Sequence, residues 1–211
     1  TDGISYCSKG DLNILKNKYT FGTRIIDVGC GKGDFVELVQ EDKYFTIRGF
    51  DAAYRGDNPS IEKRYLTIDD KLVADLVIIR HVIDEIRFPH NFLKLLKSIF
   101  GNVDIYIEVL NYDWVEANNS ILDLTYERPN YFSINGIKQL FVNYHYHDLF
   151  FNDQYQYILS NLKYFDFKSY DQNYNNDEIW EYIDFNNYLD AFNFKIKNLL
   201  FSKLTDKNNL Y

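Results

Sequence analysis

The residues with the most chemistry to offer cluster at a few points along the first half of the chain. Asp27-Val28-Gly29-Cys30-Gly31-Lys32-Gly33 sets an acid ahead of three glycines at alternate positions, where an apolar run gives way to an amphipathic one. Glycine at those positions permits a tight turn from strand to helix and a close approach of backbone to a ligand. The spacing is not the Gly-x-Gly-x-x-Gly of dinucleotide sites, and Asp27 would repel a pyrophosphate where it would suit an ammonium. An ordinary Gly-rich turn is the plainer reading of the same residues, with Cys30 a small packing residue in it. About twenty residues on, the spacing expected of a ribose-binding acid, stands Gly49-Phe50-Asp51, with Ala52 beside it. A third acidic point, Asp69-Asp70, offers a carboxylate to an adenine amino group, although paired acids after a strand also cap turns. Together these residues describe a pocket for a cationic adenosyl amino acid rather than for a phosphate.

A second group belongs to the chemistry edge. Ile79-Arg80-His81-Val82-Ile83-Asp84-Glu85 puts a histidine where the carboxyl ends of parallel strands open into a crevice. A histidine oriented by Asp84 or Glu85 can act as a base near neutral pH. Alternatively, Arg80 and the acids pair at a helix start while His81 packs beside the ligand. Glu108, Asn111 and Asp113 add polar groups at the end of the next apolar run. His145 and His147 share one side of a strand, but no third ligand accompanies them, and no metal is expected.

These groups need a scaffold, and the patterning supplies one. Apolar, β-branched runs at 23–28, 45–50, 64–68, 74–79 and 103–109 read as buried parallel strands. Crossovers at 34–41, 60–63 and 88–100 separate them, and a leading helix at 8–19 has Ser8 as its cap. Beyond residue 110 come short helices, a helix at 133–143 capped by Ser133, and alternating segments at 144–151 and 154–159 joined as a hairpin. The expected fold is a doubly wound, Rossmann-like α/β sheet of seven strands, mixed because the C-terminal hairpin is antiparallel, followed by an aromatic helix at 177–205. One domain spans 1–211, with a cofactor half at 1–110 and an acceptor half at 111–176. Nine of ten glycines fall in the first 110 residues and 25 of 38 aromatics fall after them. The terminal aromatics would serve as core or as the surface of a homodimer.

Composition narrows the partners. The 23 basic residues against 31 acidic give a net charge of −8, without a basic patch, which disfavours nucleic acid and anionic membranes. Two cysteines, Cys7 and Cys30, cannot build a disulfide framework, and no apolar run approaches the roughly 18 residues of a bilayer span. A cytoplasmic protein is expected. The absence of Met implies that the chain's true start lies upstream.

With these residues in view, the sequence resembles the class I S-adenosylmethionine-dependent methyltransferases, whose first motif is an acid, an apolar residue and Gly-x-Gly-x-Gly, over roughly residues 20–160. That resemblance implies S-adenosyl-L-methionine as cofactor, held by Asp27, Gly29, Cys30, Gly31, Gly33, Asp51, Ala52, Asp69 and Arg80. A narrower likeness is carried by Arg80-His81-Val82-Ile83-Asp84, by Phe92-Leu93, by Ile107-Glu108-Val109 and by Tyr126-Glu127-Arg128-Pro129-Asn130-Tyr131-Phe132-Ser133. These look like the branch of nucleotide-sugar C-methyltransferases, in which a Glu-His pair precedes a Tyr-Phe-Ser/Thr helix start and the histidine removes a proton from carbon. Arg128 stands here in place of that histidine, and the branch's zinc module is missing. Arginine is not a base in proteins, although it binds phosphate or carboxylate. The implied activity is therefore methyl transfer to oxygen of a small sugar or nucleotide-linked precursor of a surface polysaccharide such as a capsule. His81 would be the catalytic base, and Asp84, Asn111, Tyr126, Glu127, Arg128 and Tyr131 would contact the acceptor. C-methyl transfer is the alternative, followed by a nucleic-acid or protein methyltransferase and by a non-catalytic, cofactor-binding partner subunit.

Overall fold

The computed structural model describes residues 2–120, 123–125 and 128–165, with side chains from residue 9 onward. Contacts divide the chain at Phe167, and the described residues all lie in the first unit, Thr1–Phe167. The C-terminal helix expected at 177–205, and Tyr126 and Glu127, lie outside the described residues.

The first unit opens with helix α1 (Asp2–Lys16), then strand β1 (Arg24–Val28), helix α2 (Asp34–Asp42) and strand β2 (Thr46–Phe50). Strands β3 (Ile61–Glu62) and β4 (Leu76–Arg80), helix α3 (Pro89–Phe100) and strand β5 (Asp104–Leu110) follow. Short helices α4 (Tyr112–Asn118) and α5 (Ile134–Lys138) precede the hairpin β6 (Tyr146–Phe150) and β7 (Tyr155–Asn161). The strands form a seven-stranded sheet in the order β3-β2-β1-β4-β5-β7-β6. β1 through β5 pair in parallel, and β7 runs antiparallel to both β5 and β6. The mixed, doubly wound sheet expected from the apolar runs is therefore the observed one.

Two local expectations fail. The run 64–68 is not a strand: the third strand is the two-residue β3, inside the segment read as a crossover. Arg64 is drawn off instead, making paired hydrogen bonds of 2.9 and 2.8 Å to Asp70, whose Oδ2 also accepts from the Thr67 N–H at 2.7 Å. That local side-chain ring closes a loop where β-propensity alone suggests a strand. Ser8 is not a cap either, because α1 begins at Asp2 and passes through it. By contrast, Ser133 does cap: its Oγ accepts from the Gly136 N–H at 2.9 Å, although α5 stops at Lys138 rather than 143.

Strand alternation sends side chains to two cores, one on each face of the sheet. Val77, Ile79, Ile105 and Ile107 pack with Leu93 and Leu96 of α3 and Ile137 of α5 on one face. Ile25, Ile78 and Tyr106 pack with Leu12 and Leu15 of α1 and Phe35, Val36 and Val39 of α2 on the other. The hairpin turn uses left-handed backbone at Phe151, Asn152 and Asp153, with φ of 53°, 56° and 65°.

Truncating the fully buried Leu96 to alanine should cost about 2–5 kcal/mol in urea unfolding, and Ser133→Ala about 1 kcal/mol. A negligible cost for Leu96→Ala would mean that α3 does not pack as described.

Candidate active site

The face that carries α1 and α2 changes character as its strands reach their carboxyl ends. Two residues beyond Ile25, Ile78 and Tyr106, and therefore on the same side, come Asp27, Arg80 and Glu108. The apolar floor becomes ionic within one pleat. Asp11 joins from α1, beside the buried Leu12 and Leu15 of its own helix. Asp11, Asp27 and Glu108 are exposed by only 1%, 2% and 0%. The Arg80 guanidinium lies among them, its Nε 3.2 Å from Asp11 Oδ2 and 3.5 Å from Glu108 Oε2, and stacks over the Phe35 ring at 4.6 Å. The Tyr106 hydroxyl is 3.1 Å from Asp11 Oδ1 and 3.2 Å from Glu108 Oε2.

Burial under these conditions separates the acids. It pushes Asp27 up to about 7, with Arg80 opposing and the Glu108 and Asp51 charges adding. Burial and the facing Glu108 raise Asp11 well above the carboxylate range. Glu108 would also rise by burial, but contacts with His81 and Arg80 outweigh it and hold its carboxyl low.

Above this cluster lies the glycine loop. The Gly29 N–H donates to the Phe50 carbonyl at 2.7 Å, tying the end of β1 to the end of β2. Gly29 has φ 75°, and a Cβ there would sit 2.3 Å from Val82 Cγ2, so no other residue fits. Gly31, at φ 58°, differs: a Cβ would meet nothing within 4 Å. Its N–H donates to Asp51 Oδ2 at 2.9 Å, and the Ala53 N–H to Asp51 Oδ1 at 2.7 Å, which aims the carboxylate while leaving lone pairs for further donors. Ala52 is half-buried beside it, and Gly33 opens α2. The Cys30 thiol is half-buried and pushed up to about 12 by burial and by the Asp27 and Asp51 charges, so it is no nucleophile. Asp69 is exposed in the loop after β3, next to an Asp70 already held by Arg64. Open space over Gly31, a buried Asp27 Oδ1 without a hydrogen-bond partner, and an oriented Asp51 fit a cationic adenosyl amino acid.

His81 follows β4 directly and is held in left-handed backbone, φ 54°, a conformation that costs a non-glycine residue about 1 kcal/mol. Its N–H donates to the Glu108 carbonyl at 2.9 Å. Its Nε2 lies 2.8 Å from Glu108 Oε1, off the line of a straight hydrogen bond, and the Tyr155 ring meets the imidazole edge-on at 5.2 Å. A carboxylate can only accept, so the proton belongs on Nε2, and Nδ1, which is covered and without a hydrogen-bond partner, keeps its lone pair. The residue expected to orient His81 was Asp84 or Glu85; Glu108 does so instead.

The other expected site residues are engaged inside the fold. Asp84 is buried and its Oδ2 lies 3.2 Å from Arg128 Nε, so the two neutralise each other. Asn111 caps α4 by accepting from the Asp113 N–H at 3.1 Å and donates to the Asp153 carbonyl at 2.9 Å. The Tyr131 hydroxyl closes its own loop, accepting from the Thr125 N–H at 2.8 Å and donating to the Thr125 carbonyl at 3.0 Å. His147 contacts Gln156 Oε1 at 3.2 Å and His145 is 3.8 Å from Asp104. Asp11 and Tyr106 went unnoticed in the sequence. An acid four residues before Leu15, within the apolar stripe of α1, was the available signal.

A mixed sheet of this order, with an acid near the end of β1, a glycine loop after it and an acid after β2, defines a class I S-adenosylmethionine-dependent methyltransferase. A methyltransferase-domain family model matches residues 8–150, and the chain belongs to that family. Its fold is similar to a SAM-dependent methyltransferase from Archaeoglobus fulgidus, with a TM-score of 0.56 at 17% identity over 74% of this chain and 94% of that one. It is also similar to magnesium protoporphyrin IX methyltransferase from Synechocystis with bound SAH, with a TM-score of 0.52 at 14% identity over 75% and 82%. A third similar structure is the small RNA methyltransferase HEN1, with a TM-score of 0.54 at 14% identity over 73% of this chain and 24% of that one. No curated protein sequence matches. S-adenosylmethionine is thus the cofactor, and it supplies an electrophilic methyl group on a sulfonium.

Two predictions follow from this geometry. Folded Asp27 keeps a proton up to about pH 7 that the unfolded chain releases near its ordinary value of 3.8, so this group makes stability fall as pH rises through that window. Asp27→Asn should remove up to about 1.4 kcal/mol per pH unit of that slope, read from melting curves between acidic and neutral pH; an unchanged slope would mean an ionised Asp27. Gly29→Ala should cost about 1–3 kcal/mol of stability, whereas Gly31→Ala should cost about 1 kcal/mol and lose S-adenosylhomocysteine affinity in calorimetry. Intact affinity in Gly31→Ala would place the cofactor elsewhere.

Proposed function

We propose that this methyltransferase acts on a hydroxyl oxygen of a small acceptor, a sugar or nucleotide-linked precursor of a surface polysaccharide, with His81 as the base. The observation that carries the reading is the Nδ1 of His81: a nitrogen lone pair at the carboxyl edge of the sheet, without a partner, on an imidazole whose other nitrogen faces a buried carboxylate. A hydroxyl donor is the partner that nitrogen lacks. His81 then holds the hydroxyl proton, and Glu108 balances the charge on the imidazolium. Asp27 and Asp51 would hold the cofactor's ammonium and ribose. Such a transfer to oxygen needs only one base, so the arginine at position 128 is no obstacle.

The sugar class rests on the resemblance around Arg80–Asp84 and Tyr131–Ser133. Charge supports a small acceptor over nucleic acid. Arg48, Arg64, Arg80 and Arg128 are each paired with a carboxylate of this chain, so none of them forms part of an unneutralised basic groove. Among the described residues, no helix is long and apolar enough to cross a membrane. The protein would work in the cytoplasm on precursors made there.

Incubation of pure protein with labelled S-adenosylmethionine and a panel of sugars and nucleotide-sugars should give an O-methylated product. His81→Gln should lower kcat by about 10²–10⁴-fold while leaving cofactor affinity intact. Unchanged turnover in that variant would remove His81 as the base, and a C-methylated product would favour the carbon-directed alternative.

A further inference from the structure

We propose that Asp11, on α1, is a positioning residue for methyl transfer: it shares a proton with Glu108 and so keeps the other oxygen of Glu108 turned toward His81. The inference rests on the reading of His81 as base, and it adds a residue from an element remote in sequence.

Asp11 interrupts a stripe that otherwise docks α1 by apolar contact through Leu12 and Leu15. A buried acid in such a stripe destabilises the helix contact unless something on the other side receives it. The receiving groups are Arg80 from β4, Tyr106 and Glu108 from β5 and, at longer range, Tyr157 from β7. Asp27 of β1 completes the charge set through Arg80 and Glu108. Asp11 and Glu108 thus share one guanidinium and one phenol, and Asp27 acts on the same guanidinium. The phenol has a single hydrogen yet stands almost equally far from Asp11 Oδ1 and Glu108 Oε2, at 3.1 and 3.2 Å, so it cannot serve both. A proton between Asp11 and Glu108 resolves the conflict, since the two carboxylates meet at the same phenol and the same guanidinium. Burial and the facing charge favour the neutral form of Asp11, while His81 and Arg80 favour ionised Glu108. The proton therefore belongs to Asp11. Glu108 Oε2 then faces Tyr106 and Arg80, the two groups it shares with Asp11, leaving Oε1 for the imidazole.

Without Asp11, the Oε2 side loses a donor and the carboxylate is free to rotate toward Arg80, away from His81. When Asp11 loses its proton at alkaline pH, two facing carboxylates repel and the same rotation follows. Asparagine keeps an N–H donor in the position of the acid and cannot ionise.

The test uses the full chain as wild type, Asp11→Ala, Asp11→Asn and His81→Gln, with kcat against pH, S-adenosylhomocysteine affinity and melting temperature measured for each. Asp11→Ala should lower kcat about tenfold with little change in cofactor affinity. Asp11→Asn should restore most of kcat, abolish the alkaline fall in kcat expected of wild type, and flatten the fall in melting temperature between acidic pH and about pH 8. An alkaline limb of kcat and an acidic-to-neutral melting slope both unchanged by Asp11→Asn overturn the inference, as does full kcat in Asp11→Ala. If Asp11→Ala fails to fold, the Asp11→Asn profiles decide alone. Unchanged turnover in His81→Gln defeats the base reading instead, and the melting profile of Asp11→Asn still reports whether Asp11 holds the proton.

Discussion

A glutamate without solvent exposure must be neutralised or surrounded, and the carboxyl edge of this sheet is organised by how Glu108 is surrounded. Its own strand supplies Tyr106, two residues back on the same face, and the neighbouring strand supplies Arg80 in direct register. His81 takes the remaining oxygen and is bent into left-handed backbone to do so. The strain at His81 and the burial of Glu108 are two sides of one contact, since neither side chain would hold its position without the other. Helix α1 is drawn into the arrangement as well, through Asp11, which lies beside the apolar Leu12 and Leu15.

The cofactor loop is coupled to this edge by shape as much as by charge. Gly29 lies against Val82, the residue after His81, with no room for a side chain between the β1 turn and the β4 turn. The glycine loop and the turn that carries the histidine are thereby held in contact. Asp27 sits beneath both, pushed up by burial to the pH range in which cells work, where an arriving ammonium would favour its charged form. In the function proposed, cofactor capture and base orientation would draw on the same small set of buried charges.

Much of the scaffold was legible in the sequence because buried parallel strands must be continuous apolar runs, and 23–28, 45–50, 74–79 and 103–109 each match a strand to within two residues. The run 64–68 misled because its β-branched composition says nothing of Arg64 and Asp70 closing a ring over it. The glycine loop and Asp51 were legible from spacing, since their work is done by backbone and by a strand end. The partners of the site's charges were not. Arg80, Arg128 and Asp84 read as ligand contacts along the chain, but folding pairs them with one another or with acids distant in sequence. Glu108 was visible only as one polar group among several, because its importance lies in being the one that reaches His81. Asp11 was hidden by its surroundings, an acid inside a helix stripe that looks like ordinary amphipathic variation.

The central claim is that Glu108 fixes the tautomer of His81, with the proton on Nε2 and the lone pair on Nδ1. The most direct measurement is a long-range proton–nitrogen correlation spectrum of the histidine-labelled protein at neutral pH, with His81 assigned by its absence in His81→Gln. The account predicts that the neutral ring carries its proton on Nε2, with Nδ1 showing the shift of an unprotonated imidazole nitrogen. A spectrum in which the neutral ring carries its proton on Nδ1 would contradict it.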